Sequence, residues 1–308
     1  MKITASLLLC AALSSAAVAQ TDDFNDLNDT GWTRYTPLTA FGGTASFAFT
    51  GGVYRIASSP SPDEGQLGPS RAGSLRQDVR YTSFCICVDL VDWDPAEDTS
   101  MGILARVQPS PGIGTTSGYA FTYQGKDQDV QLSRVDGEAP TSLSGSPSLT
   151  LTPGGSYRMI FFGAGNHLEG RIYDLNDLLT PLIIATGTDA AYAEGTCGLV
   201  VFADENTRAS AGFDNYRANN GSTSPPALTI VDNPAVAGQD LEVTWAAATS
   251  LCHTLESSTD LQLWTSHHAQ NVTAGRFHYK EPFDNLSRPA VFFRLRLGPS
   301  VILGIAPQ

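Results

Sequence analysis

The clearest pattern in the chain is the alternation of apolar and polar positions between Tyr81 and Val135. Side chains of an extended strand point to opposite faces with a period of two. Phe84, Ile86, Val88 and Leu90 therefore share one face, and Cys85, Cys87 and Asp89 the other. Ile103, Ala105 and Val107 repeat the alternation, Tyr119, Phe121 and Tyr123 follow, and Val130 and Leu132 complete it. Clusters of Pro, Gly, Asp and Ser separate the runs. The pattern predicts a meander of four antiparallel strands with one face in a core.

Shorter runs extend the pattern in both directions. The segments ASFAFT and GVYRIAS read as two strands joined at Gly51-Gly52, a favourable hairpin pair, and residues 58–73 read as a proline-rich loop. Residues 136–147 form a polar loop. Tyr157 to Phe162 is a buried strand, turned at Gly163–Asn166 onto a partner running from His167 to Leu175. Residues 182–187, 197–203 and 211–217 close this first unit, which spans 20–220. The Ser222–Pro226 stretch has linker composition, so 221–226 separates it from a second, smaller β unit at 227–297, followed by a tail at 298–308. Leu241, Val243 and Trp245 begin a core there with Phe292 and Leu295. A unit of about 70 residues is near the lower limit for independent stability, so the first unit is expected to fold alone and the second to lean on it. No segment shows sustained helical periodicity. The fold class is all-β.

Composition agrees with a turn-rich β protein. Of 308 residues, 16% are charged, 29 are Gly and 18 are Pro. The net charge of −13 repels phosphate backbones and anionic lipid, which argues against nucleic-acid and membrane-surface partners and tolerates neutral sugars. Residues 1–19 read as a signal peptide: Lys2, an apolar stretch from Leu7 to Val18, and Ala17-Val18-Ala19 as a cleavage site. That apolar stretch is too short to span a bilayer as a helix. The mature protein is thus expected to be secreted, to the outside, the periplasm or the cell surface, where disulfides are permitted. Cys85 and Cys87 share one strand face, a poor geometry for bonding each other. The readings open are a bond from either one to Cys197, or buried free thiols.

From Asp22 to Ala218 the chain resembles the concanavalin A-like jelly-roll superfamily, most closely its laminin-G-like and keto-disaccharide-hydrolase-like members. The residues that carry this are the opening DDFND…W, GSLRQDVRYTSFCICVDL, GILARV and the pair GYAFTYQ…DVQLSRV. The segments SYRMIFFGAGNHLEGRIYDL and GTCGLVVFADENTRASAGFDNYRA complete it. Residues 227–297 resemble small sandwich modules at the C-termini of secreted bacterial proteins, through LESSTDLQLWT and FFRLRL. The resemblance implies an antiparallel jelly-roll sandwich followed by a second, smaller β-sandwich. It implies hydrolysis less well. Jelly-roll glycosidases carry Glu-x-Asp-x-x-Glu on one strand, and no Glu here is followed two residues later by Asp. Where the keto-disaccharide-hydrolase-like group offers a Glu after Gly-Tyr, this chain has Ala120 and Phe121.

The resemblance also directs attention to particular side chains. A structural calcium could staple the ends of the first unit through Asp22, Asp23 and Asp214, or these acids could serve turns and solvent. No other cofactor is implied. A sugar-binding groove would draw on Trp93, Arg106, Tyr119, Tyr123, Arg134, Glu169 and Arg171. Against this, alternation favours the core for Tyr119 and Tyr123, and Trp93 fits a cap on the core edge. An acid pair for hydrolysis would have to combine Glu169 with an acid of the 92–98 loop, VDWDPAED. The expected partner is a glycan or polysaccharide bound without catalysis. A glycan hydrolase, or a structural module that engages a surface or matrix partner, is the alternative.

Overall fold

The computed structural model describes residues 20–203 except 179, residues 207–220, and beyond them mainly the strands between 228 and 297. The expected signal peptide (1–19), linker (221–226) and tail (298–308) lie outside the described residues. The chain enters through β1 (Gln20–Asp22) and β2 (Thr33–Tyr35), then makes the hairpin β3 (Ala45–Thr50) and β4 (Val53–Ser58). A short helix, α1 (Glu64–Leu67), begins at Asp63, whose carboxylate accepts the Gln66 backbone N–H, and precedes β5 (Arg71–Tyr81). Next come β6 (Phe84–Asp92), β7 (Ser100–Val107), β8 (Gly118–Gln124), β9 (Asp129–Asp136) and β10 (Ala139–Ser142). The unit ends with β11 (Tyr157–Ala164), β12 (His167–Asp174), β13 (Ile183–Thr188), β14 (Gly195–Phe202) and β15 (Ala209–Asn220).

These strands form two antiparallel sheets packed as a jelly-roll sandwich. The first runs β13-β12-β11-β6-β15-β4-β3, with β1 added beside β15, and the second runs β10-β9-β8-β7-β14-β5-β2. Three of the four strands predicted as a meander are therefore neighbours, and β10 extends them in place of β6. β7, β8 and β9 are consecutive neighbours in the second sheet, whereas β6 lies between β11 and β15 in the first. The physical reason is that both faces of β6 are buried from Phe84 to Leu90, so it is a central strand and the 93–99 loop carries the chain across to the other sheet. The segment read as a loop at 136–147 contains the exposed edge strand β10.

The core lies between the sheets and is set by the alternation. Tyr119, Phe121 and Tyr123 face inward from the second sheet and Ile86, Val88, Leu90 and Phe161 from the first, all fully buried. Phe121 seats against Gly170 on β12, where a methyl group would come within 2.2 Å of the ring. At the open corner, Trp32 meets Tyr216 edge-on at 4.6 Å, and Phe24 and Phe49 each lie 4.8 Å from Tyr54. Trp32 Nε1 donates to Asp22 at 2.8 Å, which ties β1 to this cluster.

Beyond the sandwich lie β16 (Leu228–Val231), β17 (Asp240–Ala246), β18 (His253–Ser258), β19 (Thr265–His267), β20 (Gln270–Thr273), β21 (Arg276–Pro282) and β22 (Phe292–Leu297). They pair as two small antiparallel sheets, β16-β17-β21-β20 and β19-β18-β22. Among the described residues no helix is long and apolar enough to cross a membrane.

Substituting Gly170→Ala should push the Phe121 ring out of its seat and destabilise the sandwich by about 1–3 kcal/mol, the usual cost of overpacking. Urea unfolding checks this; an unchanged midpoint would mean that the two sheets are not in contact there.

Candidate functional site

One cleft sits at the end of the sandwich where β6 runs out into the 93–99 loop. It has a volume of about 440 Å³ and is lined by Arg55, Asp92, Trp93, Asp94, Pro95, Glu97 and Arg208. Its assembly follows from register. Gly212 on β15 lies opposite both Arg55 on β4 and Asp92 on β6. With no side chain at Gly212, where a Cβ would stand 2.7 Å from that of Asp92, the Arg55 guanidinium reaches across the strand and pairs with Asp92. Arg55 also donates to Ser210 Oγ at 2.7 Å. Burial, and then the nearby Arg208, lowers its pKa. Arg208 approaches Glu97 at 3.7 Å on the solvent side.

The loop is held from below. The Trp93 indole donates to the Gly155 carbonyl at 3.1 Å and meets Tyr123 edge-on at 5.6 Å, leaving Trp93 7% exposed. Asp94 accepts the Ala96 backbone N–H at 2.8 Å, closing the turn. The cleft thus presents two guanidinium forks and the carboxylates of Asp92 and Glu97 on a fixed loop. Donors and acceptors of this kind, side by side, are suited to vicinal hydroxyls, which need both.

A second cleft of about 270 Å³ is lined by Thr33–Pro37, Leu75, Gln77 and Pro111. Beside it the 110–117 loop is tied to the outer face of the second sheet. Glu138 accepts from Arg71 Nε and Nη2 at 2.6 and 2.8 Å, from the Tyr35 hydroxyl at 2.5 Å and from the Gly114 N–H at 2.7 Å. Thr116 Oγ1 lies 2.7 Å from the Tyr35 hydroxyl. Burial, and then the Glu138 charge, raises the Tyr35 phenol above its ordinary pKa, so it stays a donor to Glu138.

The seven residues named for a sugar groove do not come together. Trp93 contributes to the first cleft, mostly as its buried support. Tyr119 and Tyr123 are core residues, fully buried between the sheets. Tyr119 donates to Asp189 at 2.7 Å, and Asp189 also accepts from Arg134 at 2.9 Å, so Arg134 belongs to an edge cluster with Asp136 and Asp189. Arg106 is 1% exposed at the end of the core, between the Phe84 and Tyr119 rings at 5.4 and 5.9 Å, donating to the carbonyls of Tyr192 and Thr82. Its φ of +47° turns it inward at a bulge facing Gly195, where any side chain would strike the Arg106 backbone. Glu169 and Arg171 pair with each other at 2.6 Å on the outer face of the first sheet, with Tyr173 at 3.2 Å from Arg171. Glu169 is in register with the Cys85 end of β6 and Asp92 lies at its other end, so the Glu169 and 92–98 acids form no catalytic pair.

β1 pairs with β15, which brings Gln20–Asp22 beside Tyr216–Ala218. Asp22 accepts the Trp32 indole and the Phe24 N–H, Asp23 the Asn25 N–H, and Asp214 the Asn215 N–H. Among the described residues no three His, Cys, Asp or Glu side chains are placed to hold a metal ion. The expected bridge to Cys197 is not formed: Cys197 is a free thiol in the core between the sheets, and Cys85 and Cys87 point to the opposite face of β6. Arg55 and Arg208 were not among the expected site residues. The signal for Arg55 was a lone charge between Tyr54 and Ile56 in an apolar strand; Arg208 had none.

No protein-family model and no curated protein sequence matches the chain. Among solved structures, the carbohydrate-binding module CBM66 from Bacillus subtilis matches at 18% identity and a TM-score of 0.46, over 63% of this chain and 98% of its own. The basic winged bean lectin solved with Tn-antigen matches at 8% and 0.47, over 66% and 98%. A prokaryotic β-1,3-1,4-glucanase from a mouse hindgut metagenome matches at 12% and 0.45, over 66% and 98%. No residue role carries across at these identities.

Burial pushes the Cys87 and Cys197 thiols up to about 12, because the thiolate is the form that loses hydration. Neither should be alkylated in the native protein at about pH 8, and both should be once it is denatured. Mass spectrometry after brief iodoacetamide treatment measures this; rapid native labelling of either would show that its side of the sheet is open.

Proposed function

We propose that this is a secreted, non-enzymatic glycan-binding protein that takes a saccharide in the cleft formed by Arg55, the 92–97 loop and Arg208. The observation that carries the reading is the pairing of two arginines with Asp92 and Glu97 at an open sandwich end, over a loop locked by Trp93. Guanidinium groups donate to ring and hydroxyl oxygens, and the carboxylates accept the hydroxyl protons. Each acid faces an arginine, an arrangement that serves binding better than the paired acid and base of hydrolysis. Export is supported by the reading of residues 1–19 as a signal peptide.

The test is a glycan array on the full-length protein, followed by calorimetry on each hit with Arg208→Ala and Glu97→Gln. Both side chains reach solvent, so the fold should survive either change. Losing one charge-assisted hydrogen bond, about 1.5–3 kcal/mol, should weaken binding about tenfold or more. Unchanged affinity in both variants would move the site elsewhere. Release of reducing sugar from a bound glycan would replace binding with hydrolysis, and no hit at all would leave a structural role.

A further inference from the structure

The outer face of the first sheet, turned away from the second sheet, is closed where an uncovered sheet face would be open. Cys85, Cys87, Ile160, Phe162 and Tyr173 form a separate apolar cluster there, and none is more than 5% exposed. Among the described apolar side chains, Leu178 is the one that packs on this cluster from outside the sheet. Arg171 on the same face is 1% exposed. Arg217 and Asn219 lie opposite Cys87 and Cys85, and Arg217 Nε and Asn219 Oδ1 are buried without a hydrogen-bond partner among the described residues. Buried polar atoms of this kind call for a partner from whatever covers them. Toward the β13 edge the cover stops, since Leu182 and Ile184 are 46% and 45% exposed.

Three observations favour this chain itself as the cover. These exposures are those of a single chain, so no second molecule is needed to produce them. β15 ends at Asn220 opposite Phe84, the neighbour of Cys85, and 88 residues follow it in the sequence. Finally, Cys85 is disulfide-bonded, whereas Cys87 and Cys197 are free. The other cysteines in the sequence are Cys10, inside the segment read as a signal peptide, and Cys252, which immediately precedes β18.

We propose that the outer face of the first sheet is the docking platform for this chain's own C-terminal β unit, residues 227–297, locked by a Cys85–Cys252 disulfide. In forming it the two thiols give up two protons and two electrons. These pass to an oxidant of the protein-disulfide class, whose own disulfide is reduced to a dithiol as the new S–S bond forms. The Glu169–Arg171–Tyr173 network then lies inside the molecule, as a polar patch within an internal interface. The inference stands apart from the glycan reading, because the proposed cleft and this platform share no residue.

The test uses the full chain exported into an oxidising compartment. Non-reducing digestion and mass spectrometry should find the Cys85 and Cys252 peptides linked. Thiol labelling in denaturant without reductant should find Cys87 and Cys197 alone. Free thiol at Cys85, or a bond from it to any other cysteine, overturns the covalent link. Hydroxyl-radical footprinting of the same protein should modify Phe162 and Tyr173 several-fold more slowly than Leu182 and Ile184, allowing for intrinsic reactivity. Equal normalised rates overturn the docking. Protection that fades on dilution assigns the cover to a second copy and overturns it as well.

Discussion

The contact on which the architecture depends is the Phe121 ring of β8 lying against the bare backbone of Gly170 on β12. A sandwich has a single interior, and each strand has one face to give it. With Phe121 turned inward, Tyr119 and Tyr123 two residues away on either side must turn inward too, and both are fully buried. The glycine lets the sheets approach at the point where the largest side chains meet. Phe161, 5.9 Å from Phe121, fills the space beside it.

From this constraint follows the placement of the polar chemistry. Several charged side chains near the core are neutralised or capped locally. Asp89 accepts from Arg158 Nε and Nη2 at 2.7 and 2.8 Å, Glu169 takes Arg171, and Arg106 caps two carbonyls. Such groups are stabilising only while their partners are present, because removing one strands the other in a poorly hydrated setting. They are poor candidates for binding a ligand. The ends of the strands carry no such restriction. There Arg55, Asp92, Glu97 and Arg208 can pair and still face solvent, and the backbone below them is held by Trp93.

The strands were legible in the sequence because alternation is a local property. The cores of β6 to β9 fall where Phe84–Leu90, Ile103–Val107, Tyr119–Tyr123 and Val130–Leu132 put them. Partnership was less legible. β6 reads like its successors in the meander, but its second face, Cys85 and Cys87, is buried as well, and only tertiary packing places it in the other sheet. The site was half legible. The acidic 92–98 loop stood out, while its arginines come from segments more than a hundred residues apart, Arg55 and Arg208, joined through the register at Gly212. Arg106 defied the rule that a strand charge faces solvent, since a bulge with φ of +47° turned it inward.

In the function we propose, ligand chemistry belongs to the loop end and not to the faces of the sheets. Heteronuclear NMR titration of the protein with a saccharide it binds tests this most directly. Shifts should be confined to the Arg55 and Arg208 side-chain Nε–H signals and the backbone amides of residues 92–97. Shifts centred on Glu169, Arg171 and Tyr173, with the loop signals unmoved, would contradict it.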